Sequence, residues 1–145
     1  MTANVKLRRA IAEMSAALHA RGWVANHDGN VSHRVSAAGD FAITPTAVSK
    51  RAVTPEMIVD CDAKGQPKGR GRPPSEVALH RAAYAARSDV HAVIHAHPPM
   101  TIACTLAGVS LAKCVLPEVL YDLGTIPTTP YATPSSPALA RSRRR

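Results

Sequence analysis

The chain has 145 residues, 46% of them hydrophobic and 3% aromatic, and carries a formal charge of +8. That length suits one domain with a core built from aliphatic side chains, and so few aromatic rings leave little platform for stacking single-stranded nucleic acid. Arg141, Arg143, Arg144 and Arg145 supply four of the charges, so half of the basicity reads as a solvated terminal tail rather than a nucleic-acid interface.

The opening stretch, MTANVKLRRAIAEM, holds charges through its first two turns and no apolar run of the kind that exports a protein. No segment nears 18 uninterrupted apolar residues, so neither a leader nor a membrane span is expected. Over residues 6–21, Leu7, Ile11, Met14 and Leu18 recur at helical spacing, and Gly22 supplies a stop. NHDGNVSHRVS then passes from turn-forming residues into alternation, and after AAGD the run FAITP completes a hairpin, with Gly29 and Asn30 where the sheet begins. One helical turn is expected at Thr54–Met57, a strand over Ile58–Asp62 and a turn at Lys64–Gly65. Past the basic loop KGRGRPP, Ser75 is placed to cap a helix whose apolar line is Leu79, Ala82, Ala83 and Ala86, with Glu76 in its first turn.

VHAVIHAH, at 90–97, follows as a strand. Its alternation places Val90, Ala92, Ile94 and Ala96 on one face and His91, Val93, His95 and His97 on the other. Pro98 and Pro99 open a further helix ending near Ala107, KCVLPEVLYDLGTIPTTPYATP reads as short strand-like pieces, and SSPALARSRRR starts like a helix and stops. Cys61, Cys104 and Cys114 are odd in number and lack C-x-x-C spacing, so they read as reduced thiols of a cytoplasmic protein.

Chemistry concentrates at the paired histidines. Residues i and i+2 on one strand face have Cβ atoms roughly 7 Å apart, which lets two imidazoles lean onto one ion, and zinc takes neutral imidazole nitrogen at about 2.0–2.1 Å. Two surface histidines on a half-exposed strand account for the same spacing. His91, four strand residues or roughly 13 Å from His95, is too far to join one ion with it. Glu76 at a helix start is explained by the helix dipole alone; beside a metal, a carboxylate that is not a ligand is the natural proton carrier. DGNVS offers backbone N–H groups to an anion or is a plain turn.

GNVS at 29–32, ITPT at 43–46, PSE at 74–76 and HAHP at 95–98, in this order and separation, resemble the class II aldolase/adducin family of the L-fuculose-phosphate aldolase type. PYAT at 130–133 matches a further family segment. The resemblance implies a three-layer α/β/α domain with a central, mainly antiparallel sheet, here spanning residues 1–140 ahead of the 141–145 tail. It implies Zn2+ or another divalent metal held by His95 and His97, Glu76 as catalytic acid/base, and a substrate phosphate held by Gly29, Asn30, Thr46 and Ser75. The implied activity is a lyase that cleaves or forms a C–C bond in a small sugar or sugar phosphate through a zinc-stabilised enediolate, in a cytoplasmic homo-oligomer, a tetramer in the family, with no nucleic-acid or membrane partner.

Three positions depart from the pattern. Pro74 stands where the family often has a first Ser, and Ala47 where a Gly usually follows the Thr. The family's third zinc histidine comes after PYAT, and no His follows it here, so an incomplete metal site and an impaired, C-terminally truncated enzyme are expected. The competing expectations are a non-catalytic remnant or adducin-head-like interaction domain, and a family epimerase, dehydratase or decarboxylase.

Overall fold

The computed structural model describes residues 2–112 and 117–133. The terminal tail, the helix start expected in SSPALARSRRR and Cys114 lie outside the described residues.

Helix α1, Val5–Ala20, begins where the Asn4 side chain accepts the Leu7 N–H at 2.9 Å, the hydrogen bond that makes Asn a good N-terminal cap. It ends where Gly22, at φ +67, lets its own N–H and that of Trp23 turn back onto the His19 and Leu18 carbonyls. Its buried stripe is Ile11, Ala12, Ser15 and Leu18. Met14, expected on that stripe, is 41% exposed, and Ser15 is buried in its place because its hydroxyl donates to the Ile11 carbonyl at 3.0 Å.

Four antiparallel strands follow: β1, Asn30–Arg34; β2, Phe41–Ile43; β3, Val59–Cys61; and β4, Ala92–His95. Their spatial order is β3-β2-β1-β4. The hairpin pairs Ser32 with Ile43 and Arg34 with Phe41, and β1 meets β4 with Asn30 opposite His95. Alternation along the strands sends side chains to two cores. On one face Val31 and Ala42 pack with Ile11, Ala12 and Leu18 of α1; on the other Phe41, Ile43, Val59 and Cys61 pack with Tyr84 of helix α2, Val77–Ala86. Helix, sheet and helix therefore form the three expected layers.

Two further elements differ from expectation. Helix α2 starts one residue later than its capping signal suggests: Glu76, not Ser75, occupies the N-cap position, no side chain caps the helix, and Ser75 is exposed. The Val77 N–H instead reaches the Pro74 carbonyl at 3.1 Å, so a tight turn starts the helix. Its buried residues are Leu79, His80, Ala82 and Tyr84, while Ala86 is exposed. After helix α3, Pro99–Leu106, the segment expected as strand pieces contains helix α4, Pro117–Asp122, in which Pro117 and Glu118 are first-turn residues of the kind that favour helix starts. No described helix is long and apolar enough to cross a membrane.

Candidate active site

Strand β4 ends at His95, so His97 is not a strand residue as the alternation suggested. The next residue, Pro98, has no N–H to extend a ladder, and the His97 N–H donates to the Trp23 carbonyl at 2.7 Å. That bond turns the chain, yet the His97 ring stays beside His95: the centroids are 4.8 Å apart with planes at 82°, and the two Nε2 atoms are 2.9 Å apart. His97 Nδ1 lies 3.5 Å from Asp28 Oδ2. His91 stands apart, its carbonyl accepting the Arg34 N–H and its ring 6.3 Å from that of His33.

From the start of α2, Glu76 reaches the same point. Its Oε2 is 3.1 Å from His95 Nε2 and accepts from Asn30 Nδ2 at 3.1 Å. The His95 hydrogen bond, helped by that of Asn30, outweighs burial and holds the Glu76 carboxyl down at about 2. Two imidazole nitrogens and a carboxylate oxygen this close repel through their lone pairs unless a proton or a cation is shared among them. The paired Nε2 atoms fit two ligand positions of a nitrogen-favouring divalent cation. Among the described residues, no three His, Cys, Asp or Glu side chains gather into a metal-binding group.

The residues expected around a phosphate are arranged less uniformly. Gly29 and Asn30 are buried beside His95. Gly29 has φ +70, and a Cβ there would lie 2.4 Å from Val24 Cγ1 and 2.9 Å from the His95 carbonyl oxygen, so only glycine fits. The Thr46 N–H is taken by the Arg72 carbonyl at 3.1 Å, which leaves its hydroxyl as the group able to meet an anion. Ser75 adjoins Glu76 on the exposed side of buried Pro74, which has no N–H to offer. Ala47 holds a left-handed backbone, φ 57, the conformation that glycine adopts without cost.

Sequence reasoning missed a buried polar layer beneath this site. Asn30 Oδ1 lies 2.5 Å from His80 Nε2, His80 Nδ1 lies 2.6 Å from Ser32 Oγ, and Ser32 Oγ lies 2.6 Å from the Tyr84 hydroxyl. The signal was the spacing of Glu76, His80 and Tyr84, four residues apart and so on one helix face. Lys50 was missed too. It is 2% exposed and donates from Nζ to the His27 and Val48 carbonyls, both at 3.1 Å, tying the loop before β1 to the loop after β2. Burial lowers its pKa, while Asp28 opposes the shift.

Residues 9–145 match the class II aldolase and adducin N-terminal domain. The chain is 33% identical over 144 residues to a 3-oxo-tetronate 4-phosphate decarboxylase of Cupriavidus necator, a match covering 97% of this chain and 65% of that protein. It is 35% identical over 137 residues to a 5-methylthioribulose-1-phosphate/5-deoxyribulose-1-phosphate aldolase of Escherichia coli, covering 94% and 63%. It thus spans less than two thirds of the length of these relatives. An L-fuculose 1-phosphate aldolase structure superposes with a TM-score of 0.88 over 98% of this chain and 67% of that one; at 22% identity, the likeness is one of fold. With the sheet order, the two-sided packing and the domain match in agreement, the chain belongs to the class II aldolase and adducin N-terminal domain family.

Proposed function

We propose that the chain carries the substrate-activating part of a divalent-metal-dependent lyase, one that cleaves or forms a carbon–carbon bond in a small sugar phosphate. The observation that carries this reading is the 3.1 Å contact of Glu76 Oε2 with His95 Nε2, beside a second imidazole. His95 and His97 are the residues that would hold zinc or another divalent cation through Nε2. When bound, that cation supplies the positive charge that makes a neighbouring carbonyl electron-poor.

Glu76 moves the proton at the carbon beside that carbonyl. Its low pKa belongs to a carboxylate that receives the His95 hydrogen bond. The amide of Asn30, the Gly29 backbone, the Thr46 hydroxyl and Ser75 form the anion cradle of this reading. The reading extends to a cytoplasmic homo-oligomer with no nucleic-acid or membrane partner.

A zinc titration followed by assay against a panel of ketose 1-phosphates tests the proposal. Zinc-dependent release of a phosphorylated three-carbon ketone, lost in Glu76→Gln, is expected. Decarboxylation is the second reading, favoured by the similarity to a decarboxylase over 97% of this chain; release of CO2 from a 3-oxo acid phosphate, without aldol cleavage, would select it. Absence of both zinc binding and turnover would replace them with a non-catalytic interaction domain.

A further inference from the structure

Two loops carry the proposed anion cradle. The first, residues 25–28, leads into Gly29 and Asn30 and is closed by the Ala25 N–H, which donates to Asp28 Oδ1 at 2.7 Å. The second, residues 46–48, turns through Ala47 at φ 57. An L residue keeps that conformation only where its surroundings hold it, and both flanks are held. The Thr46 N–H donates to the Arg72 carbonyl at 3.1 Å, and the Val48 carbonyl accepts from Lys50 Nζ at 3.1 Å. The same Nζ donates to the His27 carbonyl at 3.1 Å, and the Lys50 N–H to the Asn26 carbonyl at 3.3 Å. Lys50 therefore joins the two loops through both its backbone and its side chain.

Lys50 is 2% exposed. Taking an amine out of water is costly, and a Met of similar length would fill the space without that cost, though it would leave the His27 and Val48 carbonyls without this donor. We propose that Lys50 is a positioning residue for the substrate phosphate, holding the two loops at the separation at which the Gly29 and Asn30 donors and the Thr46 hydroxyl meet one anion. Resting on the proposed anion cradle, this deepens that reading. Pro74 has no N–H to offer, so the cradle leans on these two loops. Donors must lie about 2.7–3.2 Å from the phosphate oxygens, and a drift of about 1 Å between the loops breaks the set. The clamp needs two N–H groups, which the Lys50 side chain has whether or not it is charged.

Titration calorimetry and amide NMR of the full chain with inorganic phosphate test the clamp. In the parent, the Gly29 and Thr46 amide signals should shift together with one dissociation constant. Lys50→Met should weaken phosphate binding about tenfold, the scale on which outer partners of a site act, and separate the two responses, while zinc affinity stays within a few-fold. Should Lys50→Met not fold, Lys50→Gln, whose amide keeps N–H donors on a chain one atom shorter, should weaken phosphate binding in the same direction. With a ketose 1-phosphate, KM should rise more than kcat falls, a split that general loss of structure does not produce. A parent whose phosphate response is confined to one loop, or a folded Lys50 variant that binds phosphate like the parent, would overturn the proposal. The functional reading fails separately, by lack of turnover in the parent, and the phosphate titration decides the clamp in either case.

Discussion

The Nε2 atoms of His95 and His97 lie 2.9 Å apart although only His95 belongs to strand β4. The pairing depends on the Trp23 carbonyl, which holds the His97 backbone at 2.7 Å as the chain leaves the sheet. If both nitrogens bind one cation, each should matter about equally. A four-ligand zinc site gives about 10–16 kcal/mol, or roughly 3 kcal/mol per ligand, so His95→Ala and His97→Ala should each weaken zinc binding about 100-fold in titration calorimetry. A variant that binds zinc like the parent would remove that histidine from the site.

Gly29 ties the site to the fold. A methyl group there meets Val24 Cγ1 and the His95 carbonyl oxygen, at a backbone angle that L residues rarely take. The left-handed backbone costs about 1–2 kcal/mol, and overpacking adds about 1–3 kcal/mol. Gly29→Ala should therefore lower unfolding free energy by about 3 kcal/mol in urea titration, and the strain, borne by the His95 carbonyl, should weaken zinc binding in parallel.

Periodicity made the first helix and the hairpin legible, because a strand side chain has only two faces and a helix repeats every 3.6 residues, whereas the three layers were implied by the family resemblance. It misled where a pattern outlasts its element. His97 keeps the alternation of VHAVIHAH, but Pro98 has no N–H and Trp23 offers a better partner, so the strand ends at His95. In α4, the β-favouring Val119 and Tyr121 concealed a helix that Pro117 starts. His80 was illegible for another reason. A buried histidine needs partners, and its partner Ser32 lies 48 residues away, on a strand whose register no local pattern reveals.

Asp40 and Lys68 form an ion pair at 2.6 Å between the hairpin turn and the loop after β3. The Lys68 hydrogen bond holds the Asp40 carboxyl at about 2, below its ordinary 3.8. A carboxyl depressed by folding stabilises the protein above its unfolded value and loses that contribution as pH falls through its folded value. Parent stability should therefore drop between about pH 4 and pH 2. Lys68→Met should be less stable at pH 7 and should show a shallower drop across that window in acid-dependent denaturation curves.

Ala47 is exposed and carries φ 57. Its left-handed backbone costs about 1–2 kcal/mol, against about 0.5–1 kcal/mol for the extra unfolded-chain freedom of glycine. Ala47→Gly should stabilise the protein by about 0.5–1 kcal/mol. A lower urea midpoint would show that the Ala47 methyl group makes a contact worth more than the strain.

Glu76 stands where two roles can be separated by substitution. Its Oε2 accepts from Asn30 and faces His95, so a neutral Gln of the same shape keeps a hydrogen-bonding oxygen there but cannot take up a proton. Glu76→Gln should preserve the fold and lower turnover by about 10²–10⁴-fold, the range that a lost general base accounts for. Glu76→Asp keeps the charge but draws it back by about one carbon–carbon bond, roughly 1.5 Å, and should fall between parent and Gln. Zinc affinity distinguishes base from ligand: for a base it stays within a few-fold across the series, whereas for a ligand it falls with Gln while turnover at saturating zinc recovers. The parent, Asp, Gln order in turnover at constant zinc affinity is the outcome expected of a carboxylate that moves a proton.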